Sequence, residues 1–427
     1  MIATALAILL VLMALAIPVA ASLGVLALAM EAIYSQLPLV RAMGEVAWSA
    51  SNEFLLVSVP LFILLGEILL RSGFAERMYG SLITWVSWLP GGLMHSNIAA
   101  CALFAATSGS SVATAATVGT VALPQARRFG YNERLFLGTL AAGGTLGILI
   151  PPSINMIIYA VLTNTSVPKL YLAGIVPGIL LMTLFMLTVL VLCLWRPAWG
   201  GQRMHATWGE RAAGLAHLLP PLGIFLVVVG SIYAGVATPT EAASLGVMAA
   251  LALAWWKRRL DLTMLREALE GTMRTTGMVM LIVLAAYFLN FVISAIGLTT
   301  RLTDFIEGLG LSRELTLFAV IVFYLVLGCF METLSMMITT IPIVAPVMFK
   351  LGYDPVWFGI LIILLIETAL VTPPVGLNLF VVQNLRRGGS LNDVIIGTLP
   401  FVGTLFLMLL LLALFPGLAT WLPALFN

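Results

Sequence analysis

The sequence has 427 residues, of which 61% are hydrophobic and only 9% are charged. Soluble domains carry about 25% charged residues, so this composition excludes a soluble protein. Uncharged runs of 18 or more residues recur along the chain, which favours a membrane protein made of transmembrane helices. The formal net charge is only +2, so we expect a lipid bilayer as the surroundings and no nucleic-acid partner.

The first half of the chain, residues 1–200, opens with a predicted scaffold of helices within residues 1–90. We interpret residues 3–30 as one transmembrane helix and residues 54–70 as a second. Residues 75–89 are too short to cross easily and carry Trp85 and Trp88, which is typical of an arm lying at the membrane interface. The scaffold is therefore expected to hold two crossings and an arm.

Residues 92–124 are predicted to form a re-entrant hairpin. Two full crossings of about 20 residues each and a turn would not fit this length. The middle of this run consists mainly of small and polar residues, TSGSSVAT. We therefore expect two half-length helices that meet at Ser108, Gly109, Ser110 and Ser111.

The next apolar run, residues 135–163, is predicted to be a transmembrane helix with a break. Its sequence GGTLGILIPPSIN, residues 143–155, contains Pro151 and Pro152. Adjacent prolines remove two backbone donors and disfavour helix at the preceding residue. A break at bilayer depth is tolerated only where it is buried in protein or lines a watery cavity.

A polar linker, residues 196–216, leads to the second half, residues 217–427. Crossings are expected at residues 218–235, 241–256 and 276–297, with a basic arm at residues 257–274. A second hairpin is expected at residues 315–349, and a second broken helix with the sequence ALVTPPVGLN at residues 356–385. A last crossing at residues 394–415 completes the predicted second half.

The two halves align as a repeat. Three matched pairs are each separated by 222 positions: Ser22 and Ser244, Pro151 and Pro373, and Ser110 and Glu332. Five crossings lie between the first matched pair, so the halves are predicted to be inverted. This topology leaves five of the 20 basic residues on one side, namely Arg41, Lys169, Arg301, Arg313 and Lys350. The other fifteen assign their side to the cytoplasm, so the first hairpin opens inward and the second outward.

A hairpin tip that faces a helix break concentrates backbone dipoles and freed carbonyl oxygens, which suit anions and cations respectively. Two broken helices in matching positions indicate the binding site of a secondary transporter. We predict a first sodium site from Ser108, Gly109, Ser110, Ser111, Thr145, Gly147 and Ser153. We predict a second from Glu332, Thr333, Ser335, Thr372, Gly376 and Asn378. The substrate-binding candidates are Ser110, Ser111, Pro152, Asn155, Thr333 and Pro374.

Each of these residues also has an interpretation without function. Small residues permit close helix packing, and hydroxyls in membrane helices often donate to their own turn. The intramembrane acids Glu332 and Glu367 are candidates for ligating a cation or relaying a proton. Either acid is as well suited to holding the hairpin by capping amides. The sequence has no HExxH, GxSxG or P-loop motif, so no enzyme is expected.

Several long motifs resemble the large membrane subunit of tripartite ATP-independent periplasmic (TRAP) transporters. They are PLFILLGEILLRSG at residues 60–73, ATSGSSVATAATVGTVALP at 106–124, GILIPPSINMIIYA at 147–160 and TPPVGLNLF at 372–380. The resemblance covers nearly the whole chain. It implies an elevator-type, sodium-coupled importer in a bacterial inner membrane, with ions bound between each hairpin tip and the facing break. The predicted fold is therefore an all-α polytopic protein of two inverted repeats.

The resemblance also implies two protein partners. One is a periplasmic substrate-binding protein and the other a small four-helix membrane subunit, expected here as a separate polypeptide. The family's substrates are mostly carboxylates, with some zwitterions, and the sequence does not discriminate among them. A free-standing sodium-coupled anion carrier that needs no binding protein is the alternative.

Overall fold

The computed structural model describes residues 1–15, 17–202, 206–298, 300–301, 304, 312–328, 331–373, 376–386 and 388–426. Over these residues the chain folds into α-helices and short 3-10 helices, with no β-strand. The fold class is therefore all-α, as predicted.

The helices of the first half vary widely in length. In chain order they are α1 (Ile2–Ala14), α2 (Val19–Tyr34), α3 (Met43–Ser51), α4 (Ser58–Arg71), α5 (Phe74–Val86), α6 (Gly92–Ser108), α7 (Ser111–Arg128), α8 (Glu133–Leu149), α9 (Ile154–Thr163) and α10 (Val167–Trp195). Short 3-10 helices occur at Leu39–Ala42, Phe54–Val57 and Pro197–Trp199.

The described helices of the second half follow a similar sequence of lengths only from the hairpin onward. They are α11 (Trp208–Tyr233), α12 (Pro239–Trp256), α13 (Leu262–Ala295), α14 (Arg313–Gly328), α15 (Thr333–Lys350), α16 (Pro355–Val371), α17 (Leu377–Arg386), α18 (Leu391–Leu414) and α19 (Gly417–Leu425).

Six stretches of the described chain are long and apolar enough to cross a membrane, judged by length and composition. They are Phe54–Arg71, Val167–Trp195, Trp208–Tyr233, Leu262–Ala295, Thr333–Lys350 and Leu391–Leu414. Helices α8 and α9 together make a seventh, bent by 42° at the break between them. The bend falls at the two prolines on which the broken helix was predicted.

The first hairpin turns at the predicted four residues. Gly109 ends α6 in the left-handed region at φ 60°, which only glycine adopts at little cost. Ser110 then caps α7, and its hydroxyl oxygen accepts from the backbone amide of Ala113 at 3.4 Å. The second hairpin is formed by α14 and α15, and residues 329–330 of its turn lie outside the described part.

Helix bounds recur at the shift found in the sequence. Helices α7 and α15 begin at Ser111 and Thr333, 222 positions apart. Helices α8 and α16 also begin 222 positions apart and end 222 positions apart, at Leu149 and Val371. The inverted orientation of the two halves stays a prediction.

Two expectations for the scaffold need correction. Residues 3–30 form two helices, α1 and α2, separated at Pro18. Proline cannot donate to the preceding turn and its ring crowds the carbonyl four residues back, so the long apolar run is divided. The predicted basic arm and the crossing that follows it are instead one continuous helix, α13, of 34 residues.

Two further expectations concern the linker and the end of the chain. Helix α11 begins at Trp208, inside the predicted linker at residues 196–216, because Thr207 and Glu210 form a capping box there. After α18, Pro416 precedes one more short helix, α19, which was not predicted.

Each of the two broken helices packs against hairpin helices from both halves of the chain. Helix α8 packs against both arms of its own hairpin, α6 and α7, and α16 packs against α14 and α15. Beyond each break the partner changes: α9 packs against α15, and α17 packs against α7. Each broken helix therefore contacts both hairpins, which brings the described helices of the two hairpins and the two broken helices into one core.

Candidate functional site

The tip of the first hairpin lies in direct contact with the break between α8 and α9. A Cβ added at Gly147 would lie only 2.6 Å from the carbonyl oxygen of Ser110. A Cβ added at Gly109 would lie 2.9 Å from the carbonyl oxygen of Pro152. Both glycines thus allow backbone to approach backbone, and the structure brings the hairpin tip and the break together; that sodium binds there stays a prediction.

We call the contact between the hairpin tip, residues 108–111, and the break, residues 145–153, the first junction. Its hydroxyls make short local hydrogen bonds. The hydroxyls of Ser108 and Thr114 lie 3.0 Å apart, and Thr114 also donates to the carbonyl of Ser110 at 2.7 Å. Thr145 donates to its own turn, at the carbonyl of Ala142. Thr114 was not among the predicted residues, although it lies in the hairpin motif.

Two helices begin at the junction. Ser110 caps α7, and Ser153 caps α9, where its hydroxyl oxygen accepts from the amide of Met156 at 3.4 Å. The positive ends of both helix dipoles therefore lie next to the contact between tip and break. Helix α8 ends at the same place, so its last carbonyls add acceptor oxygens.

Asn378 was predicted in the second site, but the structure places it against the first hairpin. Its Nδ2 donates to the hydroxyl of Ser111 at 2.8 Å and to the carbonyl of Ala141 at 3.1 Å. Because a carbonyl can only accept, this contact fixes the orientation of the amide. The other amide atom, Oδ1, is buried with no hydrogen-bond partner among the described residues. The cause is the packing of α17 on α7, which carries the first turn of α17 to the first junction.

At the second hairpin, Glu332 caps α15. Its carboxylate accepts from the amide of Ser335 at 3.0 Å and from the hydroxyl of Ser335 at 3.1 Å. The hydroxyl of Thr333 donates to the same carboxylate at 2.7 Å. Three predicted residues of the second site therefore form one local cluster at the start of α15.

The second break is described only at its two sides. Thr372 donates to the carbonyl of Thr368 in the preceding turn at 2.6 Å, and Gly376 follows the break at φ 42°. Across from it, Gly328 at the end of α14 packs so closely on Ala369 that an added Cβ would overlap that side chain. Pro374, a predicted substrate-binding residue, lies outside the described residues.

Two more buried polar atoms lie beside the first break. Asn155, a predicted substrate-binding residue in the first turn of α9, is 3% exposed, and its Nδ2 has no partner in the described chain. The hydroxyl of Tyr171 on α10 approaches the backbone of Ser153 without a hydrogen bond of ordinary length. Tyr171 was not predicted, although a polar side chain in a long apolar helix could have marked it.

Unpaired buried polar atoms are rare, and each calls for a ligand or another explanation. Asn155 offers a donor and the start of a helix, which suits an anionic group. Asn378 offers an acceptor near freed carbonyls, which suits a hard cation. In the described part of the chain, no three His, Cys, Asp or Glu side chains lie together to hold a metal ion.

Comparisons with known proteins agree on one family. Residues 6–418 match the family model described as "Tripartite ATP-independent periplasmic transporter, DctM component". The chain is 34% identical over 395 residues to a C4-dicarboxylate TRAP transporter large permease protein of Pseudomonas aeruginosa, covering 90% of each chain. It is 32% identical over 371 residues to the ectoine TRAP transporter large permease protein of Halomonas elongata, covering 86% of each.

Among solved structures, the crystal structure of the YdaH transporter of Alcanivorax borkumensis matches with a TM-score of 0.65 at 16% identity. The match covers 89% of this chain and 88% of that one, and at this identity it shows a shared fold alone. The family match, in contrast, extends over almost the whole sequence. The chain therefore belongs to the DctM component family of TRAP transporters, whose members are multi-pass inner-membrane permease subunits and not enzymes.

Proposed function

We propose that this permease subunit imports a small organic acid or zwitterion, coupled to sodium and by an elevator mechanism. The observation that carries the proposal is the first junction, where a hairpin tip touches a helix break. The amide oxygen of Asn378 and the amide nitrogen of Asn155 are buried there, and neither has a hydrogen-bond partner among the described residues. Acceptor and donor are the complementary groups that a cation and an anionic substrate require.

The argument for sodium rests on the kind of oxygen atoms at the junction. Neutral hydroxyl, amide and carbonyl oxygens suit a hard monovalent cation, which has no need of charged ligands. Ser108, Ser111 and Thr145 supply such hydroxyls, and Asn378 supplies an amide oxygen. At the second hairpin the candidate ligands are the hydroxyls of Thr333 and Thr372 and the carboxylate of Glu332.

The argument for an organic acid or zwitterion rests on the donors. The Nδ2 atom of Asn155 and the start of α9 suit a carboxylate without a basic side chain. The named substrates of two relatives, a C4-dicarboxylate and ectoine, both carry carboxylates. A carboxylate is therefore the group that we expect the first junction to recognise.

The packing of the hairpins and breaks supports the proposed elevator mechanism. Each broken helix contacts both hairpins, so the four elements are able to move as one body against the scaffold helices. The repeated helix bounds support two structural repeats, and an inverted pair of repeats is an arrangement common in transporters. A moving body of this kind carries both candidate sites across the membrane together.

The partners follow from the family description, which makes this chain one component of a tripartite system. We expect a periplasmic substrate-binding protein that delivers the substrate and a small four-helix membrane subunit that packs on the scaffold. Exposed apolar side chains on α1, including Leu6, Leu10 and Val11, offer a surface for lipid or for such a subunit.

The test is uptake into liposomes that contain this chain and its small subunit, with sodium and the binding protein varied independently. The expected result is uptake that requires both the inward sodium gradient and the binding protein. Sodium-driven uptake without the binding protein would favour a free-standing carrier. Uptake that ignores sodium would overturn the proposed coupling.

A further inference from the structure

Glu367 is a fully buried acid that none of the interactions described so far uses. It lies on α16, near the end of the helix and before the second break, and its side chain is 0% exposed. Neither carboxyl oxygen has a hydrogen-bond partner among the described residues. The carboxyl group approaches the backbone of Leu149, the last residue of α8, without a hydrogen bond of ordinary length.

This position lies between the two breaks. Leu149 ends the first half of one broken helix, and Thr372 follows the first half of the other. Thr372 donates to the carbonyl of Thr368, the neighbour of Glu367. The residue 222 positions before Glu367 is Thr145, which belongs to the predicted first sodium site. Glu367 therefore occupies the place in the second repeat that a candidate ligand occupies in the first.

No basic side chain in the described structure compensates Glu367. The helices packed on α16 carry charged residues only in their outer turns, namely Glu133 and Arg134 on α8, Lys169 on α10, Arg313 and Glu314 on α14, Lys350 on α15, Arg386 on α17 and Asp393 on α18. Along α16 itself, about 18 Å of helix separates Glu367 from Pro355, the residue at which the helix begins. Helices α9 and α19 carry no charged residue.

The tyrosines of these neighbouring helices do not compensate the acid either. Tyr159 donates to the carbonyl of Pro355, and the hydroxyl of Tyr324 pairs with that of Thr340. Tyr171 has no partner in the described chain, but it lies against Ser153 at the first break. Of these three tyrosines, it is the one whose hydroxyl has no hydrogen-bond partner among the described residues.

An ionised carboxylate in this apolar interior costs more free energy than a folded protein has to spare, unless a positive charge accompanies it. A proton supplies that charge by making the acid neutral, and the new O–H can donate to a freed carbonyl at the end of α8. Sodium supplies it as an ion held by the carboxylate and neighbouring oxygens. Both routes place one monovalent cation on the same side chain.

We propose that Glu367 is a cation site of the transport cycle, where a proton or a sodium ion binds between the two helix breaks and is released as the substrate crosses. The inference rests on the proposed function, because it adds one coupled cation to a sodium-driven importer. It assigns that cation to a charged ligand, whereas the first predicted site is built of neutral oxygens.

The experiment measures the number of positive charges moved per substrate in liposomes that hold the complete transporter. This number is obtained from the substrate gradient at which net flux stops at a set membrane potential. The variant Glu367→Gln keeps the size of the side chain but cannot hold a compensating charge. Ile366→Leu, one residue away, controls for a packing change in the same helix.

The expected result is one positive charge fewer per substrate in Glu367→Gln and no change in Ile366→Leu. If the cation is a proton, the variant also loses the dependence of uptake on pH at constant sodium. If it is sodium, the slope of uptake against sodium concentration falls instead. An unchanged charge count, sodium slope and pH profile would overturn the inference and leave Glu367 as a permanently neutral packing residue.

A variant that does not transport is still informative. Purified wild-type protein is expected to melt at a higher temperature when the cation is added, and Glu367→Gln is expected to lose part of that shift. Equal shifts with sodium and with pH in both proteins would overturn the inference. Uptake by the wild type that ignores sodium would instead contradict the proposed function. Failure of the proposed function is therefore seen in the wild type alone, whereas failure of the inference is seen when Glu367→Gln is compared with the wild type.

Discussion

The side-chain amide of Asn378 donates to the hydroxyl of Ser111 at 2.8 Å, across 267 positions of sequence. This hydrogen bond joins the first turn of α17, just beyond the second break, to the first turn of α7, at the tip of the first hairpin. It therefore connects the two halves of the chain at the place where the candidate ligands meet.

Asn378→Ala tests the role of the amide. The substitution removes the donor to Ser111 and the unpaired acceptor Oδ1, so we expect a lower melting temperature and a sodium affinity about tenfold weaker. A lost hydrogen bond with a buried partner left behind costs about 1–3 kcal/mol. Uptake is measured against sodium concentration, with Asn384→Ala on the exposed side of the same helix as control. Wild-type sodium dependence in Asn378→Ala would remove this residue from the site.

Gly147→Ala tests the contact between tip and break. The added Cβ would lie 2.6 Å from the carbonyl oxygen of Ser110, so the hairpin tip must move. Strain of about 1–3 kcal/mol is typical of such overpacking, and we expect the initial rate of uptake to fall about tenfold or more. Gly403→Ala on α18 is the matched control, because nothing lies within 4 Å of its added Cβ. Equal rates in the two variants would mean that transport tolerates a displaced tip.

Two substitutions at Glu332 separate the stabilising effect of its helix cap from the effect of its charge. Glu332→Gln keeps an acceptor oxygen for the amide of Ser335, whereas Glu332→Ala keeps none. Loss of a cap costs about 0.5–2 kcal/mol, so we expect Glu332→Ala to lower the melting temperature of the purified protein by several degrees. Glu332→Gln is expected to cause less than half of that decrease. A Gln variant as unstable as the Ala variant would show that the charge, and not the cap, stabilises the hairpin.

The positions of the hairpin turn and the helix break could be predicted from the sequence because their causes are local. Gly109 and Ser110 are residues typical of a helix end followed by a helix start, and the pair Pro151 and Pro152 removes two backbone donors at the break. Proline alone does not decide the matter, because Pro220 and Pro221 lie inside the continuous helix α11. The same local rule applied to Pro18, and the apolar composition of residues 3–30 concealed it. Chain length and local chemistry thus predict where helices stop.

The neighbours of the candidate residues could not be predicted in the same way. Asn378 was expected in the second sodium site because it follows the second break in sequence. Its true neighbours, Ser111 and Ala141, depend on how α17 packs on α7, which no local pattern contains. The contact of Glu367 with Leu149 has the same origin, since it requires α8 and α16 to meet at their ends.

A group of ion pairs outside the junctions supports a last prediction. Arg386, at the end of α17, contacts Glu133 at 2.9 Å and Asp393 at 3.0 Å, and its side chain is only 9% exposed. It ties the end of one broken helix to the start of the other. Removing it takes a cation from both acids, although Asp393 keeps its ion pair with Arg134 at 2.8 Å. We expect Arg386→Gln to lower the melting temperature by several degrees and to reduce uptake. Arg266→Gln removes an exposed pair with Glu270 and should change neither, because exposed pairs contribute little. Equal stability of the two variants would show that the Arg386 contacts do not hold the broken helices together.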